Sequence, residues 1–460
     1  MSPNGFFDIS IRQIINGYKT GELSPDYIAN LCISQYEKTE PVCLAWERFD
    51  KKMLLERAAD AGKRITDKKP IRSLEGIPVG VKDIFNTSDF PTEMGSPIWK
   101  NFTPGNDARV VHYLKYAGAI IPGKTVTAEF AVHTLGKTRN PHDTTRTPGT
   151  SSSGSAVSVA TGMIPASIGT QTAGSIVRPA SFCGIYGCKP SFGLIPRTGM
   201  LKTTDSLDSI GFFTLHFEDL EYLFEIIRVH GSDYPLSNRA LLNTEKQNKP
   251  SGGPWRIALV KTHTWEYAAD YAKHALFSWY EKIAGLKDVT ISEAQVPSSM
   301  EKSHEVHATI YDKTLSYYFK NEFQKDTLVS PIMKTLILHG NTISNAQYQD
   351  ALVQQNHMAK EMDNFFGQYD ILISLSTAGE APLRDDTEQP DSALIWTMTH
   401  LPVICAPVFI SPKGLPFGAQ IVSRRYNDYR LFKFCNLLNK SGLLPERSNP
   451  DLSIKNQRFN

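Results

Sequence analysis

RTPGTSSSGSAVSVATGMIPASIGTQTAGSIVRPA, residues Arg146 to Ala180, holds two serine-rich loops separated by small and apolar residues. The first loop runs from Gly149 to Ser155 and the second from Gln171 to Ser175. The small-residue run Ala156 to Gly162 predicts a short helix, and the apolar run Ile164 to Ile168 predicts a buried strand. A helix starting at Gly154 or Ser155 turns its free N–H groups back on the first loop. The second loop follows the strand directly. In open α/β sheets, loops at strand ends are where sites are built.

Working outward, strands and helices alternate. Residues 8–17 and 24–38 read as amphipathic helices, the second opened by Ser24 as cap and Pro25 at the first helical position. Cys43 to Phe49 reads as a strand, 51–67 as a surface helix, and Ile77 to Val81 as a strand that ends in Lys82. A helix over 108–117, a strand over 119–122 and a helix over 217–229 follow. Asn243 to Gly253 is polar and rich in breakers, a surface loop or hinge. After a strand at 257–260, helical patterns cover 266–284, 303–325 and 345–366. Strands at 370–374 and 418–423, a Pro- and acid-rich loop at 375–395, a stretch over 401–409 that leads back under the site and a helix at 428–438 complete the chain, with a polar tail from Arg447. This alternation predicts an α/β protein with a large mixed central sheet covered by helices on both faces.

Composition narrows the function classes. Hydrophobic residues make up 41% and charged residues 21%, ordinary for a globular protein. A net charge of +2 gives no nucleic-acid face. The six cysteines show no metal-ligand spacing, so reduced thiols and no metal are expected. The N-terminus lacks a basic segment followed by an apolar core, and no apolar run reaches about 18 residues. A cytoplasmic protein without a membrane span is the expectation. Two motifs mislead. Gly118 to Thr125 matches the phosphate-loop spacing, but helix rather than strand precedes Gly118. Ser299-Met300-Glu301-Lys302 matches the S-x-x-K of penicillin-binding enzymes without its companion motifs.

The two loops, read with Gly80-Val81-Lys82-Asp83, resemble the amidase signature family of serine amide hydrolases. Gly123 to Phe130, Thr138 to Asp143, Phe182 to Ser191 and Gly414 to Arg425 also look like the family. The resemblance spans most of the chain and fades from about 240 to 365. It implies one amidase-signature domain over 1–460, with a variable helical insert at about 240–365 roofing the substrate pocket. It also implies Ser175 as nucleophile, Ser151 on a cis peptide bond as proton relay, and Lys82 as base. The chemistry is coherent. A serine hydroxyl needs a neighbour to take its proton, and a lysine does so only when burial pulls its pKa down. The backbone N–H groups of Thr172, Ala173, Gly174 and Ser175 are the implied oxyanion hole. Phe130, His133, Ser152, Arg178 and Trp396 are candidate substrate contacts. Phe130 and Trp396 also fit a core role, and His133 a half-buried hydrogen-bonded one. Arg178 fits either a carboxylate clamp or a loop anchor, and the anchor is favoured because the family keeps this arginine whatever the substrate.

Thr150 stands where the family pattern has glycine. The resulting expectation is hydrolysis of a linear amide through a Ser175 acyl-enzyme, with no cofactor, a small-molecule amide as substrate and a homodimer as the family's common habit. Three rivals remain open: acyl or amide transfer to an amine, an A-type amidotransferase subunit, and a non-catalytic binding protein on the same fold. The amidotransferase group usually has Asp-Thr-Gly-Gly-Ser where this chain has Gln171-Thr172-Ala173-Gly174-Ser175.

Overall fold

Eleven strands join in one mixed sheet in the computed structural model, which describes residues 5–230, 241 and 254–448. In chain order they are β1 (Trp46–Phe49), β2 (Val79–Lys82), β3 (Gly123–Thr125), β4 (Ala166–Gln171), β5 (Tyr186–Lys189), β6 (Ser209–Thr214), β7 (Trp255–Lys261), β8 (Val289–Gln295), β9 (Ile371–Leu375), β10 (Val403–Ile410) and β11 (Pro416–Val422). Across the sheet the order is β1-β3-β2-β4-β6-β5-β10-β11-β9-β7-β8. β2 lies parallel to both β3 and β4, and β7 is parallel to β8 and β9, while the strands between run antiparallel. Every residue of β2, β4, β9 and β11 is buried, so both faces of the sheet are covered. The architecture is the mixed α/β domain that the alternation predicts.

Local chemistry explains where the elements begin. Ser24 Oγ accepts from the Tyr27 N–H at 3.2 Å and Pro25 opens the Pro25–Cys43 helix. The same Ser-Pro device opens a helix at Pro331–Thr342, which is not among the elements predicted from sequence. Nor are β5, β6, β8 and β10. Of these β8 is an edge strand with no fully buried position, so it carries no apolar run. The stretch after residue 254 is therefore not purely helical: it gives the sheet β7 and β8 before the helices Ser303–Tyr318, Pro331–Thr342 and Asn345–Phe365.

Several boundaries differ from expectation. Cys43 ends the Pro25–Cys43 helix, so the strand expected from Cys43 begins at Trp46. β4 ends three residues later than the apolar run, because Gly169, Thr170 and Gln171 pair with Gly211, Ile210 and Ser209. Ladder hydrogen bonds, not apolarity, set that end. The strand expected at 119–122 is instead Gly123–Thr125, since Pro122 has no N–H to give a ladder. Helix 303–325 stops at Tyr318. The predicted loop at 243–253 and the tail beyond Ser448 lie outside the described residues, although Ser448 N bonds Leu215 O at 2.8 Å.

One large apolar core runs the length of the sheet. A second, smaller core joins Met94, Phe130 and Val132 to Tyr311, Leu315, Phe319, Met333 and Ile337. It holds the Ser303–Tyr318 and Pro331–Thr342 helices against the Phe130 turn. All six cysteines are buried and unbridged.

Candidate active site

Parallel pairing of β2 with β4 brings their C-terminal ends together, since neighbouring strands lie about 4.8 Å apart. Lys82 is the last residue of β2, and Thr170 sits one before the end of β4. Lys82 Nζ lies 2.6 Å from Ser151 Oγ, 3.0 Å from Ser152 Oγ and 2.8 Å from Thr170 Oγ1. The lysine is fully buried and faces only hydroxyls in direct contact. Burial holds its pKa well below the usual lysine range, an effect partly opposed by the Asp208 carboxylate.

Ser151 and Ser152 come from the turn that opens the helix Ser153–Ala160. That helix packs close. A Cβ on Gly154 would run into Ala45 O and the Val126 backbone. Thr127 Oγ1 donates to Ser151 O at 3.1 Å and fixes the turn. All peptide bonds among the described residues are trans, that between Thr150 and Ser151 included. The cis bond implied by the resemblance is therefore absent. Thr150 instead adopts φ 67, a left-handed backbone that the family's glycine would enter without strain. Its Oγ1 donates to Glu388 Oε1 at 3.0 Å, a contact glycine has no side chain to make.

Ser175 lies between β4 and the helix Val177–Cys183, and 8% of its surface is exposed. Gln171 organises this turn. Its Oε1 accepts from the N–H groups of Ile176 and Val177 at 2.9 and 3.0 Å, and its Nε2 donates to Thr397 Oγ1 at 3.0 Å. Thr397 Oγ1 then donates to Ala173 O at 2.6 Å. Thr172 Oγ1 donates to Asp208 Oδ1 at 2.8 Å. Asp208, buried, also accepts from the backbones and hydroxyls of Thr203 and Thr204. Among the described residues, no backbone N–H from Thr172 to Ser175 donates to a protein acceptor. Four consecutive amides beside the serine thus keep their donors uncommitted.

The candidate substrate contacts divide. His133 is exposed, its ring edge-on to Tyr311 at 6.1 Å. Phe130 is fully buried, in left-handed backbone at φ 48, and packs on Phe319 at 4.7 Å. It belongs to the second core rather than to an open wall. Trp396 is fully buried and its Nε1 has no hydrogen-bond partner. Ser152 is enclosed, donating to Thr170 O at 3.1 Å and meeting Lys82, so it supports the lysine instead of facing outward. Arg178 pairs with Glu388 at 3.1 Å and Asp391 at 2.5 Å, both from the acid-rich loop. Its charge is matched within the protein, as a loop anchor requires. The Asp391 carboxylate also abuts Gly174, where a Cβ would collide with it. A cavity of about 480 Å³ opens beside this pair, lined by Phe182, Tyr267, Tyr271, Glu380, Glu388 and Asp391 among others.

The two misleading motifs are structural. Lys124 lies within β3 and is buried against Asp83 at 3.1 Å and the carbonyl of Phe85 at 2.9 Å, so it holds no phosphate. Lys302 is exposed, on the turn before the Ser303–Tyr318 helix. Among the described residues, no cluster of three or more His, Cys, Asp or Glu could hold a metal ion, and no helix is long and apolar enough to cross a membrane.

Sequence reasoning missed Thr170, Asp208, His307 and Thr397. Asp208 and Thr397 had visible signals, in a Thr-Thr-Asp-x-x-Asp turn and a Trp-Thr-Met-Thr run, but their partners lie far away in sequence.

Comparison with known proteins places the chain in a family. The family model described as Amidase matches residues 28–432. The A-type subunit of glutamyl-tRNA(Gln) amidotransferase from Sulfurihydrogenibium sp. (strain YO3AOP1) is 38% identical, over 95% of this chain and 99% of its own. Among solved structures, a chain from a vestigial protein complex linked to the origins of an s-triazine catabolic enzyme superposes with a TM-score of 0.85 at 24% identity, covering 95% of this chain and all of that one. Native peptide amidase from Stenotrophomonas maltophilia gives 0.82 at 22% identity, over 97% of this chain and 99% of its own. The chain belongs to the amidase family, enzymes that act on amide carbon–nitrogen bonds.

Proposed function

We propose that this protein hydrolyses a linear amide through a Ser175 acyl-enzyme, with Ser151 as proton relay and Lys82 as base. The observation that carries this reading is the buried Lys82 Nζ, 2.6 Å from Ser151 Oγ and surrounded by three hydroxyls. The Ser152 proton is committed to Thr170 O, so Ser152 accepts from Lys82. A neutral amine has two N–H donors and one lone pair. With donors spent on Ser152 and Thr170, the lone pair faces the Ser151 hydroxyl.

Ser175 Oγ attacks the amide carbonyl carbon while its proton moves to Ser151, whose own proton passes to Lys82. The carbonyl oxygen takes the negative charge and is met by the free N–H groups of Thr172 to Ser175. Lys82 returns the proton through Ser151 to the leaving nitrogen as the carbon–nitrogen bond breaks. Water then attacks the ester by the same relay, releasing the carboxylic acid and restoring Ser175. The helical insert at about 240–365 roofs the pocket in this reading, supported by packing of the Ser303–Tyr318 and Pro331–Thr342 helices on the Phe130 turn.

A fluorophosphonate probe tests the nucleophile without knowledge of the substrate. One adduct, on Ser175, is expected from peptide mapping, and Ser175→Ala should lose labelling and at least about 10⁴-fold of amide turnover. Turnover retained in pure Ser175→Ala protein would overturn the assignment.

A second reading is an A-type amidotransferase subunit, favoured by the relative at 38% identity. The chemistry to the acyl-enzyme is the same. Glutaminase activity that appears only with a co-purifying partner protein would select it.

A further inference from the structure

Two carbonyls of the Ser175 loop are tethered, while the N–H groups of the same peptides are free. Thr397 Oγ1 donates to Ala173 O, and His307 Nε2 donates to Thr172 O at 2.9 Å. In a trans peptide the C=O and N–H point to opposite sides. Fixing the Thr172 carbonyl therefore aims the Ala173 N–H, and fixing the Ala173 carbonyl aims the Gly174 N–H. A donor on the carbonyl also polarises the N–H of that peptide.

His307 sits on the Ser303–Tyr318 helix, outside the two serine loops and the Lys82 segment, and is 6% exposed. One turn earlier, His304 Nδ1 lies 2.7 Å from Nε2 of His263, just beyond β7. The helix is thus tied to the sheet at His304 and to the nucleophile loop at His307. The His307 ring lies 5.4 Å from that of Tyr311, with His133, His304 and Asp391 nearby. Burial lowers its pKa to about 4, so the ring is neutral at neutral pH. Facing a carbonyl, its Nε2 carries the proton.

We propose that His307 is a positioning residue that orients the oxyanion-binding peptides through the Thr172 carbonyl, so that Ser175 chemistry depends on how the 303–318 helix docks. The inference rests on the Ser175 acyl-enzyme reading and adds to it a residue outside the signature segments.

The test compares fluorophosphonate labelling rates and melting temperatures of the wild-type chain, His307→Phe and His307→Gln. Phenylalanine keeps the ring packing on Tyr311 and loses the N–H; glutamine offers an amide N–H at similar reach. The expected result is labelling of Ser175 slowed about 10- to 100-fold in His307→Phe, less than the loss of an oxyanion donor itself. Recovery to within a few-fold is expected in His307→Gln. Where amide turnover is measurable, the loss should fall on kcat with KM little changed. Wild-type labelling by His307→Phe overturns the proposal, as does equal slowing in both variants, which would mean a purely structural role. Should His307→Phe not fold, His307→Leu takes its place in the same comparison. Failure of the wild-type chain to label at Ser175 is a different outcome: it removes the nucleophile assignment and this inference with it.

Discussion

The two serine loops and helices 303–365 meet at Thr172, yet they are held in place by different means. The loops are fixed by hydrogen bonds among small buried residues at the ends of β2 and β4, with glycines wherever backbones touch. The helices are fixed by apolar side chains shared between the large core and the second, smaller one, and meet the Ser175 loop through the His307 contact. Geometry in the loops is set to fractions of an ångström by directional bonds. Burial, which is non-directional, sets the helices. Substitutions in the first region should therefore remove chemistry at little cost in stability, and those in the second, His307 apart, should do the reverse.

The sharpest break of that contrast is Lys82→Met. It removes the base and keeps an unbranched side chain in the buried slot. Turnover should fall about 10⁴-fold while the fold survives, measured by kcat/KM alongside near-ultraviolet circular dichroism. A variant that melts instead would show that the loops also carry stability. Next in size is Leu315→Ala in the second core. Loss of a fully buried leucine should cost about 3 kcal/mol in a denaturant titration. kcat per folded molecule should stay within about threefold, because no bond to the Ser175 loop is lost. A fall in kcat as large as that of a loop variant would erase the distinction between the regions.

The smallest effect sharpens the electrostatics. The Asp208 charge opposes the burial that depresses Lys82, so Asp208→Asn should lower the Lys82 pKa further. Activity requires the unprotonated amine, which is present above that pKa and lost as pH falls through it. The acid limb of kcat/KM should therefore move to lower pH in Asp208→Asn. Movement to higher pH would show that lost hydrogen bonds to Thr203 and Thr204 outweigh the charge.

The same division explains what could be read from sequence. Lys82, Ser151 and Ser175 stand in short segments whose spacing and glycines are local, so the motif alone assembled the candidate site. Part of the sheet was legible from apolar runs; the central strands Tyr186–Lys189 and Ser209–Thr214 were not read, nor was the polar end that ladder bonds extend at Gly169 to Gln171 or the edge strand Val289–Gln295, which lacks an apolar face. Side-chain partnerships across the fold were not legible. Nothing near Arg178 in sequence points to Glu388 and Asp391, more than 200 positions away, and nothing near Thr172 points to His307. Phe130 and Trp396 read equally as pocket or core from sequence, and only packing shows both fully enclosed.

The six enclosed thiols give the chain a built-in reporter of its own integrity. With every sulfur sealed in the interior, a thiol-reactive dye should stay dark on the native molecule and report denaturation without an added tag. Burial pushes the thiols of Cys32, Cys43, Cys183, Cys188, Cys405 and Cys435 upward in pKa, further away from the reactive thiolate. One cysteine placed on an exposed turn of the 345–365 helix would then be the sole attachment point for a fluorophore, so docking of that layer could be watched with no native cysteine removed.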